Sequence, residues 1–284
     1  MTKPVMKRVQ GDGIRIQLAV WEGHGQPVLC IHGLTANCRC WDQMADRLSE
    51  ARPVIAMDLR GRGLSDKPPH GYSVEAHVRD IEALMADLKC RSMVLMGHSL
   101  GAYVAMAFAA SHPDRTAKLV LIDGGGDLTP EQWDHVHAAI KPSIDRLGTV
   151  FPSFDALVGF MKQAPFLQPW SPLLDNFYRY EIEEVEGGVR SRTRPENIRE
   201  EVANLRQVQP AGFSPQIACP VLILRASEGV LSPGDLLLPE EAVSRMLLEI
   251  PHARRVDITG TNHYSILLQP NEIRDRAILD FLAE

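Results

Sequence analysis

No stretch of the 284-residue chain approaches the uninterrupted apolar run of about 18 residues that a membrane-spanning helix needs, so no span is expected. No Lys/Arg-rich run occurs either, and the formal net charge is -6. A mildly acidic chain is a poor polyanion binder, which argues against a nucleic-acid partner. C-x-x-C pairs are missing. The cysteines are Cys30, Cys38, Cys40, Cys90 and Cys219; their odd number gives no disulfide framework, and Cys38 and Cys40 are too close for the usual metal spacing. They read as reduced thiols in a reducing compartment, which makes a cytoplasmic location the expectation and a metal site unexpected. The opening residues, MTKPVMKRVQGDG, lack an apolar h-region, so a secretory signal is not expected. Repeats and low-complexity tracts are also missing. What remains is ordinary for a globular protein, with 45% apolar and 23% charged residues, and long enough for one large core or a core with an inserted domain.

The pattern of elements is α/β. Residues 6–10 and 14–21 flank Gly11-Asp12-Gly13, a hairpin signal. Short apolar runs at Val28–Ile31, Val54–Met57, Met93–Met96 and Lys118–Ile122 suit buried strands. Helical spacing separates them at 41–48, 73–89 and 100–110. Such alternation predicts a mostly parallel sheet with helices on both faces. It stops at Gly124. From there to about Ser214 no convincing strand run occurs; helical stretches near 130–147, 153–163, 171–182 and 195–207 are broken by prolines and by Gly187-Gly188. The alternation resumes with a strand at 221–225, a helix at 239–248, a strand at 254–258 and a helix from about 270. The predicted organisation is a core domain of residues 1–123 and 215–284 with a helical cap of residues 124–214, an insertion of roughly 90 residues rich in aromatics.

Gly97-His98-Ser99-Leu100-Gly101 fits G-x-S-x-G, which a chance run of common residues could also produce. Here it follows a predicted strand and opens a predicted helix, the sharp turn that holds a serine oxygen proud of the backbone. Ser99 is therefore read as a nucleophile. His263, just past the last predicted strand, can swing over the same sheet edge as general base. The other histidines fit worse. His32 and His98 are explained by their loop and elbow, while His24, His70, His77, His112 and His252 read as surface positions. His135 and His137 diverge on a helix and make a poor metal pair. His32-Gly33-Leu34 follows a strand, so the backbone N–H groups of Leu34 and Leu100 are candidates for an oxyanion hole; the bland alternative is an ordinary strand-to-helix turn. Three carboxylates could orient the imidazole. Asp123 ends a strand at the same edge and is favoured. Glu228 is the alternative acid, although Gly229 stands where an acid would most naturally sit, and Asp235 would need its loop to fold back. Gly124-Gly125-Gly126 is no phosphate loop, since no Lys-Ser/Thr follows, and Gly61-x-Gly63 lacks the third glycine of a dinucleotide site.

Taken together, Val28-Leu29-Cys30-Ile31-His32-Gly33-Leu34, Asp58-Leu59-Arg60-Gly61-Arg62-Gly63-Leu64-Ser65-Asp66, Gly97-His98-Ser99-Leu100-Gly101 and Asn262-His263 resemble the α/β-hydrolase superfamily over almost the whole chain. The resemblance implies an eight-stranded, mostly parallel sheet, a cap after the sixth strand, and the triad and oxyanion roles just described. The chain departs from the commonest pattern at Arg225-Ala226-Ser227-Glu228-Gly229, where members often read Gly-x-x-Asp. Certain haloalkane dehalogenases and lactone hydrolases place the acid after the sixth strand instead, the position of Asp123. A serine rather than an aspartate at the elbow argues against dehalogenase and epoxide hydrolase activities. The expectation is cofactor-free hydrolysis of a carboxylic ester or lactone of a moderately apolar small molecule through an acyl-enzyme, by a monomer or homodimer. Its rivals are thioester or carbon–carbon bond hydrolysis, cofactor-free perhydrolysis, and a non-catalytic small-molecule receptor.

Overall fold

Turn chemistry sets the first elements. The computed structural model describes residues 3–284, and in it Gly13 takes a φ of 71° in the turn that joins β1 (Val5–Gln10) to β2 (Arg15–Trp21) as an antiparallel hairpin. The apolar runs follow as strands: β3 (Val28–Ile31), β4 (Val54–Met57), β5 (Met93–His98) and β6 (Thr116–Ile122). Between them lie α1 (Asp42–Leu48), α2 (Val74–Asp87) and α3 (Leu100–Ser111). Ser73 caps α2 by accepting from the Ala76 N–H. Every residue of β3, β4 and β5 is buried, as expected for strands covered on both faces.

After β6 the chain leaves the sheet. The insertion holds α4 (Pro130–Asp145), α5 (Phe154–Met161), α6 (Pro172–Glu181), β7 (Ile182–Val185), β8 (Gly188–Ser191) and α7 (Pro195–Leu205). Thr129 and Gln132 form a reciprocal capping box that starts α4. The β7–β8 hairpin corrects the expectation of an all-helical insertion. Gly187, expected with Gly188 to break helices, instead sits in its turn and Gly188 opens β8, with φ of 85° and 141°. Both strands have only four residues and are half polar, so no apolar run announces them. A bridge from Phe151 to Val189 adds to the pairing, and a Cβ on Gly188 would lie 1.9 Å from the Phe151 carbonyl oxygen.

The sheet then resumes with β9 (Val221–Ala226), α8 (Glu240–Glu249), β10 (Ala253–Ile258), a four-residue α9 (Ser265–Leu268) and α10 (Glu272–Ala283). The eight strands run in the order β1-β2-β4-β3-β5-β6-β9-β10. Pairings from β4 through β10 are parallel, and only β1–β2 and β2–β4 are antiparallel. The carboxyl ends of β3, β5, β6 and β10 therefore share one edge, beneath the insertion, where ligands bind in open α/β sheets. Among the described residues no helix is long and apolar enough to cross a membrane.

Candidate active site

Ser99 alone makes the turn between β5 and α3. Its φ of 56° and ψ of -121° are strained for a residue with a side chain. The flanking glycines permit the turn. A Cβ on Gly97 would sit 2.1 Å from the Gly101 carbonyl oxygen, and one on Gly101 would sit 2.0 Å from that of Ile31. The Ser99 N–H donates to Ile122 O at 3.0 Å, which ties the turn to β6.

At the next strand end Asp123 also takes a positive φ, 46°. Its N–H donates to Leu224 O at 2.8 Å, and its Oδ1 accepts from the Ala226 N–H at 3.1 Å. Its Oδ2 lies 2.7 Å from His263 Nδ1. A carboxylate only accepts, so Nδ1 carries a proton, and in the neutral ring Nε2 is the lone pair. Both side chains are buried. Glu228 is exposed, and only its backbone N–H is engaged, with Thr261 O. Asp235 braces its own loop by accepting from the N–H groups of Val230, Leu231 and Ser232. Of the three carboxylates weighed, Asp123 is the one that meets the imidazole.

His263 is held from three sides. His98 Nε2 donates to its carbonyl oxygen at 2.9 Å, and the two rings lie 4.5 Å apart. Burial, then the neighbouring His263, push His98 well below the usual imidazole range, so it stays neutral. Asn262 accepts from the N–H groups of Tyr264 and Ser265 and donates to Phe166 O in the insertion. Ser99 and His263 line the same cavity. Their side chains make no direct hydrogen bond here, a contact that is often long in a free enzyme and tightens around substrate.

The Leu34 turn lies beside Ser99: a Cβ on Gly33 would be 3.0 Å from Ser99 Cβ. Leu100 is the first residue of α3, so its N–H has no partner within the helix. The turn is braced from below. His32 Nδ1 donates to Gly33 O at 2.7 Å, and its Nε2 accepts from the Leu59 N–H at 3.0 Å. Burial pushes His32 down to about 3 although the Gly33 hydrogen bond opposes this. Arg62 Nε donates to Leu34 O at 3.1 Å, and its Nη1 donates to Glu201 Oε2 of α7 at 2.8 Å. His77 Nε2 lies 2.9 Å from the same Glu201 oxygen. His77 is fully buried, which corrects its reading as a surface residue. The reason is tertiary: its carboxylate partner lies 124 positions away.

The cavity at Ser99 is small, with a volume of about 60 Å³. Besides Leu34 and His98 its walls include Ile140, Ser143, Arg146, Tyr178 and Tyr264. The Ser143 and Tyr264 hydroxyls are 2.7 Å apart, and Arg146 pairs with Glu181 at 2.7 Å. Sequence reasoning singled out neither Ser143 nor Arg146. Their spacing of three on α4 and its end, with Ile140 one turn earlier, puts them on one face and was a usable signal. Glu201 offered none.

The sequence profile described as alpha/beta hydrolase fold matches residues 26–270. The chain belongs to the α/β-hydrolase fold family. Among its relatives in that family is the 2-(acetamidomethylene)succinate hydrolase of Mesorhizobium japonicum (strain LMG 29417 / CECT 9101 / MAFF 303099), 30% identical over 94% of this chain and 92% of that protein. A serine hydrolase-like protein of Danio rerio is 26% identical over 93% of this chain and 83% of its own length. The crystal structure of an E-2-(acetamidomethylene)succinate hydrolase superposes with a TM-score of 0.86 at 26% identity, covering 99% of this chain and all of the other. In the layout of an α/β-hydrolase, the insertion described above is the cap that follows the sixth strand of the sheet.

Proposed function

We propose that this protein is a serine hydrolase that cleaves a carboxylic ester or lactone of a small molecule through an acyl-enzyme. Ser99 is the nucleophile, His263 the general base and acid, and Asp123 the orienting carboxylate. The Leu34 and Leu100 N–H groups receive the oxyanion. The observation that carries this reading is the 2.7 Å contact between Asp123 Oδ2 and His263 Nδ1, in a histidine that shares a cavity with Ser99. In the neutral ring that contact supports Nε2 as the atom that takes the serine proton.

In the proposed reaction His263 takes the Ser99 proton as Oγ bonds to the acyl carbon. The negative charge moves to the carbonyl oxygen and is held by two backbone donors. The tetrahedral intermediate collapses, the C–O bond to the alcohol breaks, and His263 returns the proton to the departing oxygen. Water then repeats the sequence on the acyl-enzyme and restores Ser99. This chemistry calls on no metal or cofactor. Residues 124–214 are taken as the cap domain over the core of 1–123 and 215–284. The free cysteines support a reducing, cytoplasmic setting, and a monomer or homodimer is the proposed state.

The relative named for an acetamido compound favours a second reading, hydrolysis of an activated amide by the same residues. A fluorophosphonate probe tests the common step. Wild type is expected to be labelled covalently, with labelling lost in Ser99→Ala. A folded wild type that resists the probe sinks both readings. Esters and amides of one acid, compared by kcat/KM, then separate them.

A further inference from the structure

Two chambers meet at Ser99. The first, described above, contains His263, Ser143, Arg146 and Tyr264. The second has a volume of about 40 Å³ and shares Leu34 and Ile140 with the first. Its further walls are Tyr103, Leu128, Trp133, Val136, Leu205 and Leu237. His263 lines the first chamber and not the second.

Stereochemistry assigns them. The tetrahedral carbon carries Ser99 Oγ, the oxyanion, the acyl substituent and the departing oxygen. The oxyanion is fixed by the Leu34 and Leu100 N–H groups, so the last two substituents divide between the chambers. The departing oxygen must receive its proton from His263 and therefore lies in the chamber that holds it. The acyl substituent takes the other. Resting on the serine-hydrolase reading above, we propose that the second chamber is the acyl subsite, and that the substrate is an ester of a short apolar acid with a polar, oxygen-bearing alcohol.

The walls agree with this division. In the second chamber the Tyr103 hydroxyl and the Asp123 carboxylate are already engaged. The Tyr103 hydroxyl donates to Gly126 O at 2.8 Å, and Asp123 uses one oxygen on Ala226 N and the other on His263. A charged acyl group would find no cation among these mostly apolar walls, and burying it there is costly. The first chamber offers the opposite. The Ser143–Tyr264 hydroxyl pair faces the alcohol side, and Arg146 Nε is buried without a partner although Nη1 is bound to Glu181.

The test measures kcat/KM on O-acylglycolates from acetyl to decanoyl, and on the ethyl ester of each acid. For wild type we expect kcat/KM to rise by about fourfold per methylene from acetyl to butyryl and to fall for the longest chains, with glycolates preferred to ethyl esters. Val136→Trp, which fills the second chamber, should lower the butyryl-to-acetyl ratio by at least about tenfold. Leu128→Ala, which enlarges it, should move the optimum to longer acids and covers the case in which the tryptophan variant misfolds. Leu268→Trp, which fills the first chamber, should leave the acyl ratio alone and change the glycolate-to-ethyl ratio. An active, fluorophosphonate-labelled enzyme whose acyl ratio ignores the second chamber, or follows Leu268→Trp, overturns this assignment and spares the parent reading. A wild type neither labelled nor active overturns both.

Discussion

Asp123 and Glu228 both follow strand ends on the sheet edge that carries His263, and what distinguishes them is hydrogen bonding. Asp123 is buried, with each oxygen committed to one donor, so its position beside Nδ1 is fixed. Glu228 is exposed and its side chain is free to sample solvent. A carboxylate that holds the imidazole tautomer is worth far more than a distant charge. We therefore expect Asp123→Asn to lower kcat by roughly 10⁴, because an amide NH₂ facing Nδ1 favours the wrong tautomer. Glu228→Gln should retain most of kcat. Steady-state rates of the two variants on one ester decide the matter, and the opposite ranking would reject Asp123 as the acid.

Through α7 the cap is joined to the core by buried ion pairs. Glu201 reaches from that helix to Arg62 and His77, both fully buried, while its neighbour Glu200 accepts from the Gly71 and Tyr72 N–H groups. Arg62 in turn donates to Leu34 O, so one cap helix helps to set the turn whose N–H is the candidate oxyanion donor. Glu201→Gln would leave the Arg62 guanidinium buried without a counter-charge, a loss of about 3–5 kcal/mol. A lower urea midpoint together with a lower kcat on the preferred ester is the expected outcome. An unchanged midpoint would show that α7 is not anchored by this pair. Glu200→Gln keeps an acceptor oxygen and should be mild on both counts.

Several buried titratable groups give the fold a common response to acid. Burial holds His32 at about 3, against an ordinary 6.5, and pushes His98 down likewise. The folded protein keeps both neutral while the unfolded chain binds their protons below pH 6.5. Stability from these two is therefore complete above 6.5 and declines as pH falls, by roughly 1.4 kcal/mol per pH unit for each histidine until its folded value is reached. Glu201 adds to this lower down. Burial would raise its carboxyl, but His77 and Arg62 outweigh that and hold it at about 2, against 4.5 when free. Its contribution is present above 4.5 and is lost as pH drops towards 2. Urea midpoints measured from pH 7.5 to 4 should fall steadily below 6.5, and a flat profile would contradict the buried neutral histidines.

Much of this was legible in the chain alone. Four fully or nearly apolar runs suit buried strands, and Gly97 and Gly101 around Ser99, placed between a strand and a helix, suit a tight elbow, because backbone sterics act between close neighbours. Those local constraints point to the αβ alternation and an insertion, and mark the candidate serine and histidine. The β7–β8 hairpin escaped because its strands are short and half polar. Asp123 was favoured over Glu228 from its place at a strand end, and the structure adds its contact with His263. The burial of His77 and the two chambers at Ser99 depend on residues that meet across 100 or more positions, as His77 and Glu201 do at a separation of 124. These last contacts are set by how the cap packs on the core, and no periodicity or spacing along the chain encodes them.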